Sequence, residues 1–84
     1  MTFTFLTRPY CGLCRQMLSE LEAFQAAEHF TLKIVEIDDF PVLEAKYNEF
    51  VPVLLHGEEE IFHWYFDQEK LLNFIQKHQN VQAA

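Results

Sequence analysis

Hydrophobic and polar positions follow two different periods along this chain, and each switch between them marks the boundary of an element. Thr2 to Thr7 is a run of Thr, Phe and Leu, residue types that favour a pleated surface, and it reads as a first strand. Pro9 ends that strand by holding Arg8 in an extended conformation. From Cys14 onward Met17, Leu18, Leu21 and Phe24 recur at helical spacing with Arg15, Gln16, Glu20 and Glu22 between them, which predicts an amphipathic helix. Cys14 lies on the inward stripe of that helix and Cys11 does not.

Phe30 to Ile37 is apolar on both alternations except at Lys33 and Glu36, the pattern of a central strand covered on two sides. Asp38 and Asp39 then offer helix-start chemistry, Pro41 suits a first helical turn, and Val42 to Glu49 is expected to form a short helix. Val53 to Leu55 and Glu60 to Tyr65 are two short runs joined through His56-Gly57-Glu58, where Gly57 can take a positive φ, so an antiparallel hairpin is predicted. Phe62, Trp64 and Phe66 alternate on one face of its second strand, which reads as core packing, with a ligand platform as the competing reading. Asp67 is placed to cap a final helix with the stripe Leu71, Leu72, Phe74 and Ile75, and Gln79 to Ala84, which have no stripe, are expected to fray.

The order β-α-β-α-β-β-α predicts an α/β fold with a four-stranded mixed sheet and three helices. Right-handed crossovers place the first strand inside the sheet and the hairpin strand at one edge. The 84 residues are expected to form a single domain, 1–84, because the chain is well below the length at which cores split. A domain of this size buries only about 60% of the surface its unfolded chain exposes, and nine Phe, three Tyr and a Trp supply the bulk that such a short core needs.

Charge narrows the classes of partner. Thirteen acidic against six basic residues give a net charge of −7 with no Lys/Arg run, which argues against binding phosphate backbones, so nucleic acid is not expected as a partner. The acidic side chains gather mildly at Glu58 to Glu60 and otherwise read as solvated helix faces. No apolar run approaches the ~18 to 20 residues of a membrane helix, and Met1 to Leu6 lacks the features of a signal peptide, so a cytoplasmic protein that does not bind membranes is expected. With two cysteines there is no multi-bridge framework of the secreted kind, and the pair reads as reactive.

Cys11-Gly12-Leu13-Cys14 is a C-x-x-C at the junction of a predicted strand and a predicted helix. A helix N-terminus carries a partial positive charge and unpaired N–H groups, which favour a thiolate at Cys11 and lower its pKa from about 8.5. The two-residue spacer lets Cys14 reach back to the Cys11 sulfur and resolve a mixed disulfide. Burial on the Met17, Leu18, Leu21 stripe suits a thiol that waits its turn. Arg8 and Arg15 are close in sequence, and a guanidinium nearby would favour the Cys11 thiolate further. A structural disulfide, a metal site drawing on His56 and His63, and a pair of inert core thiols are the competing readings. His29 and His78, near helix ends, read as solvent-facing or capping groups. Val51-Pro52 begins a strand after a loop, where either a trans or a cis peptide would fit. A cis bond would turn the Val51 N–H and C=O outward to pair with an extended substrate.

These features together resemble the glutaredoxin branch of the thioredoxin superfamily, in particular the short glutaredoxin-like proteins of bacteria. The resemblance rests on the first strand followed by Arg8-Pro9-Tyr10-Cys11-Gly12-Leu13-Cys14, on Ile37-Asp38-Asp39, on Lys46-Tyr47, and on Val51-Pro52 before the hairpin. It implies a thioredoxin-like fold, attack by Cys11, resolution by Cys14, and a cis Pro52 packed beside the sulfurs. It also implies that Arg8 stands where glutaredoxins often carry a Lys that contacts the glutathione carboxylate, with Tyr10 lining the same groove. Two features depart from the family pattern: Trp64-Tyr65 stands where glutaredoxins have a Gly-Gly pair, and Phe50 replaces the usual Thr before Val-Pro. The first departure puts bulk where glutathione would approach the backbone, and Asp67 would either meet its γ-glutamyl amine or only cap a helix.

The function expected from these residues is that of a monomeric dithiol thiol–disulfide oxidoreductase. It would reduce protein or small-molecule disulfides without a tightly bound cofactor, with glutathione or a reductase as electron donor. The alternative of another class is a thioredoxin-fold binding module whose cysteines are vestigial or hold a metal.

Overall fold

The structure is a computed structural model and describes residues 1–83. Strand β1 spans Thr2–Thr7, helix α1 Gly12–Glu28, strand β2 Thr31–Glu36, and a single 3-10 turn Ile37–Asp39. Helix α2 spans Pro41–Tyr47, strand β3 Val53–His56, strand β4 Glu59–His63 and helix α3 Gln68–Ala83. The strands form one sheet in the order β2-β1-β3-β4. β1 is parallel to β2, with Phe5 opposite Ile34, and antiparallel to β3, with Phe5 opposite Leu54. β4 returns antiparallel to β3 with an irregularity between Leu54 and Leu55. The predicted fold class and element order are those of the structure, and the first strand is internal with β4 at an edge.

Both faces of the sheet are covered, and the period-two alternation along β1 and β3 decides what goes where. Phe3 and Phe5 of β1 and Leu54 of β3 pack with Met17 and Leu21 of α1 and with Leu71 and Ile75 of α3. Leu6, Val53 and Leu55, at the alternate positions, pack instead with Ile37 and with Tyr47 of α2. Phe3, Phe5, Leu21, Leu54 and Leu71 are completely buried. Cys14 belongs to the first of these clusters, so one of the two sulfurs is built into the larger half of the core.

Three expectations need correction. Phe30 to Ile37 is not a central strand: β2 is the other edge of the sheet, and Ile34 is half exposed. Its most apolar ends mislead, because buried Phe30 precedes the strand and buried Ile37 lies in the 3-10 turn after it. The second helix runs Pro41–Tyr47 rather than Val42 to Glu49. Its N-cap is Phe40 without a side-chain cap bond, so Asp38 and Asp39 do not start it. β4 stops at His63 because Trp64 has φ +67, which no strand tolerates. Phe62 is buried, Phe66 is half-buried and Trp64 is exposed, so the three do not share one core face. The α3 backbone is helical through Ala83, and Ala84 lies outside the described residues.

The remaining boundaries follow local chemistry. Gly57, at φ +62, occupies the two-residue turn between β3 and β4, where a positive φ is needed and glycine meets it without strain. Asp67 caps α3, its Oδ1 accepting from the Lys70 N–H at 3.0 Å. Among the described residues no helix is long and apolar enough to cross a membrane.

Candidate active site

The segment between β1 and α1 delivers Cys11 to a helix start. Pro9 and Tyr10 are exposed, and Tyr10 takes φ +62, which reverses the chain so that Cys11 becomes the N-cap of α1. In that position the Cys11 Sγ accepts from the Cys14 backbone N–H at 3.1 Å, and the Cys11 carbonyl accepts from the Arg15 N–H at 3.1 Å. A sulfur in the N-cap role therefore meets one of the unpaired donors of the first turn. Cys11 and Cys14 form a disulfide across a Cα–Cα distance of 5.2 Å. Cys14 is 2% exposed and Cys11 half-buried, so the two sulfurs differ in access.

The loop that leads into β3 meets the same core cluster as the cysteines. The Val51–Pro52 peptide is cis and Pro52 is buried. Val51 packs against the same cluster as Cys11 and Cys14. The Pro52 carbonyl is occupied by the Trp64 N–H at 2.8 Å, and the Phe50 N–H goes to the Tyr47 carbonyl at 2.9 Å. The Val51 N–H and C=O take no part in these loop bonds.

Arg8 reaches sideways rather than toward the sulfurs. Its Nε and one terminal nitrogen donate to Asp38 Oδ1 at 3.2 and 2.9 Å, and the other terminal nitrogen donates to Asn48 Oδ1 at 2.6 Å. The guanidinium thus ties the end of β1 to the 3-10 turn and to the end of α2. Asp38, read from the sequence as a helix starter, is its partner instead. Arg15 is exposed. Tyr10 is fully exposed beside Cys11, and its ring is open to solvent.

Trp64 lines the surface next to Leu13. It holds a left-handed backbone that costs a non-glycine residue roughly 1–2 kcal/mol, and tertiary contacts hold it there. Its indole N–H donates to the Glu49 carbonyl at 2.9 Å. Its ring stacks on Phe50 at 6.3 Å between centroids and meets His63 edge-on at 4.7 Å. His63 also contacts Glu60 at 3.0 Å, whereas His56 packs toward Phe74 and His78. The two histidines that flank the hairpin therefore point into different surroundings. Among the described residues no three His, Cys, Asp or Glu side chains gather as a metal site.

A family model described as glutaredoxin-like domain (DUF836) matches residues 2–76. The chain belongs to this glutaredoxin-like family. A protein of Nitrosomonas europaea, solved in solution by NMR, is 28% identical with a TM-score of 0.77, over 87% of this chain and 88% of its own. A structural-genomics target protein of X. campestris is 32% identical with a TM-score of 0.67, over 89% of this chain and 96% of its own. Thioredoxin 1 of Thermosipho africanus, 19% identical, covers both chains completely with a TM-score of 0.69 and shares the fold. No curated protein matches the chain. A glutaredoxin-like chain with a thioredoxin-like fold and a paired Cys11 and Cys14 has the arrangement of a redox protein.

Within this glutaredoxin-like site, sequence reasoning missed two contacts. That Arg8 would be bound by Asp38 and Asn48 has no local signal, since the partners lie 30 and 40 residues away. The role of Trp64 did leave a trace: a residue standing where the wider family has glycine is a candidate for a positive φ. His29 is a further case of this backbone. At φ +54 it ends α1, its N–H bonding the Gln25 carbonyl at 2.9 Å. His78 is half-buried and stacked on Phe74 at 4.0 Å, rather than solvent-facing.

Proposed function

We propose that this protein is a dithiol thiol–disulfide oxidoreductase in which Cys11 attacks and Cys14 resolves. The observation that carries this reading is the asymmetry of the pair: Cys11 is half-buried at a helix N-cap, while Cys14 is buried one turn into the core. In the reduced protein the helix N-terminus favours the Cys11 thiolate. That thiolate attacks one sulfur of a substrate disulfide, so a Cys11–substrate bond forms and the other substrate sulfur leaves as a thiolate. Cys14 gives up its proton and attacks the Cys11 sulfur, releasing the second substrate thiolate and closing the Cys11–Cys14 disulfide. Two electrons pass from the protein to the substrate, and an external thiol reductant restores the dithiol.

The Val51 backbone and Pro52 offer an extended substrate a short strand to lie against, and the exposed Tyr10 ring beside Cys11 is free to contact it. Arg8 ties the end of β1 to Asp38 and to Asn48 at the end of α2, from which the chain leads to Val51. Because Arg8 is already bound by Asp38 and Asn48 and Trp64-Tyr65 stands where the wider family has glycines, a dithiol protein is favoured over glutathione as the electron donor. We read the protein as a cytoplasmic monomer.

Replacing Cys11 by Ser should abolish reduction of a peptide disulfide, followed with dithiothreitol as terminal reductant. Cys14→Ser should accumulate a mixed disulfide that mass spectrometry detects. Wild-type turnover by Cys11→Ser would end this reading.

A further inference from the structure

Two depressions lie side by side between α1 and the segment that follows β4. One, of about 150 Å³, is walled by Leu13, Met17, Glu20, Trp64 and Tyr65. The other, of about 400 Å³, is walled by Glu20, Phe24, Glu28 and Phe66 among others. Glu20 and Phe66 belong to both, so the two form one groove that starts beside Cys14, at Leu13, and runs along α1 away from the disulfide.

Its chemistry is one-sided. The walls hold two carboxylates, Glu20 and Glu28, and no Lys or Arg. Both carboxylates are half-buried, and neither is in an ion pair among the described residues. A carboxylate partly withdrawn from water without a counter-ion gains from a cation that arrives with a ligand. Between the two acids Ala23, Phe24 and Ala27 line the groove, with Gln68 also on its wall, and the apolar part suits the methylene stem of a Lys or Arg side chain. At the end nearest the cysteines, Trp64 is 43% and Tyr65 66% exposed, and their ring faces attract cations. The net charge of −7 steers a basic partner in the same direction over longer range.

We infer that this groove receives an extended basic segment of the partner protein, with Lys or Arg side chains set on Glu20 and Glu28, next to the disulfide that Cys11 attacks. The inference deepens the oxidoreductase reading by naming the substrate class, a protein disulfide flanked by basic residues. Its test needs no redox step, so it stands or falls separately from that reading.

The test is binding of cysteine-free eight-residue peptides to the oxidised protein labelled with ¹⁵N. A peptide carrying three Lys and two Phe should bind with a Kd at least tenfold lower than its Glu-for-Lys counterpart at low salt. It should shift the amides of Leu13, Glu20, Glu28 and Phe66, and bind more weakly as salt rises. The double substitution Glu20→Gln, Glu28→Gln, which keeps the shape of both side chains, should bring the two peptides within about twofold. An unchanged amide spectrum of the free double variant reports that it is folded. Equal binding of the two peptides, shifts centred elsewhere, or a charge preference that survives the double substitution would overturn the inference.

Discussion

The two sides of the candidate site differ in how they are made. On one side, Cys11 and Cys14 are placed by a strand end, a reversal at Tyr10 and the first turn of α1, all within eleven residues of continuous chain. On the other, Trp64 is placed by bonds to Glu49 and Pro52 and by stacking on Phe50. The first side holds the two cysteines and rests on local backbone chemistry, whereas the second rests on contacts across the fold. In the proposed cycle the first supplies reactivity and the second access, so changes on one side should leave the other largely intact.

The largest expected effect lies beneath the first side. Leu21 is completely buried in the cluster that holds Cys14, so Leu21→Ala should cost about 2–5 kcal/mol through lost burial and the cavity left behind. Urea unfolding followed by circular dichroism measures this, and a loss well under 1 kcal/mol would show that α1 is not anchored there.

An intermediate effect should come from the second side. Trp64→Gly removes the indole and suits the positive φ, so turnover of a glutathione mixed disulfide should rise about tenfold, about 1.4 kcal/mol in the barrier. Reduction of a small neutral disulfide should change little. If both rates change together, access and reactivity are not separate in this site.

The smallest effect is expected between the two sides. Arg8 joins β1 to Asp38 and Asn48, but the pair with Asp38 is well exposed, at 29% and 42% of the two side chains. Arg8→Ala should lower stability by only about 0.2–1 kcal/mol, with a smaller difference at high salt. Thermal melting of both proteins at two salt concentrations checks this. A larger loss would mean that the asparagine contact at 2.6 Å holds more of the loop than the ion pair does.

Most of the fold was legible in the residues because its signals are periodic. Met17 and Leu21 at helical spacing, the Gly57 turn and the Asp67 cap each name an element from a few neighbouring residues. Strand order is of another kind. Phe30 to Ile37 has the composition of a central strand, yet β2 is an edge, because a strand's neighbours depend on how crossovers pack and not on its own side chains. The site divides the same way. The C-x-x-C at a helix start was readable as a dithiol pair, whereas the partners of Arg8 and the groove beside Glu20 were not.

By itself, then, the sequence determined the element order, the position of Cys11 at a helix N-terminus, and the burial of Cys14 on an apolar stripe, since each depends on residues within a turn or two. Tertiary structure alone decided that Asp38 would hold Arg8, that Trp64 would leave the strand in a left-handed conformation, and that Glu20 and Glu28 would share one groove. Those outcomes join residues far apart along the chain. Their geometry exists only once the sheet, α1 and the segment after β4 have packed together.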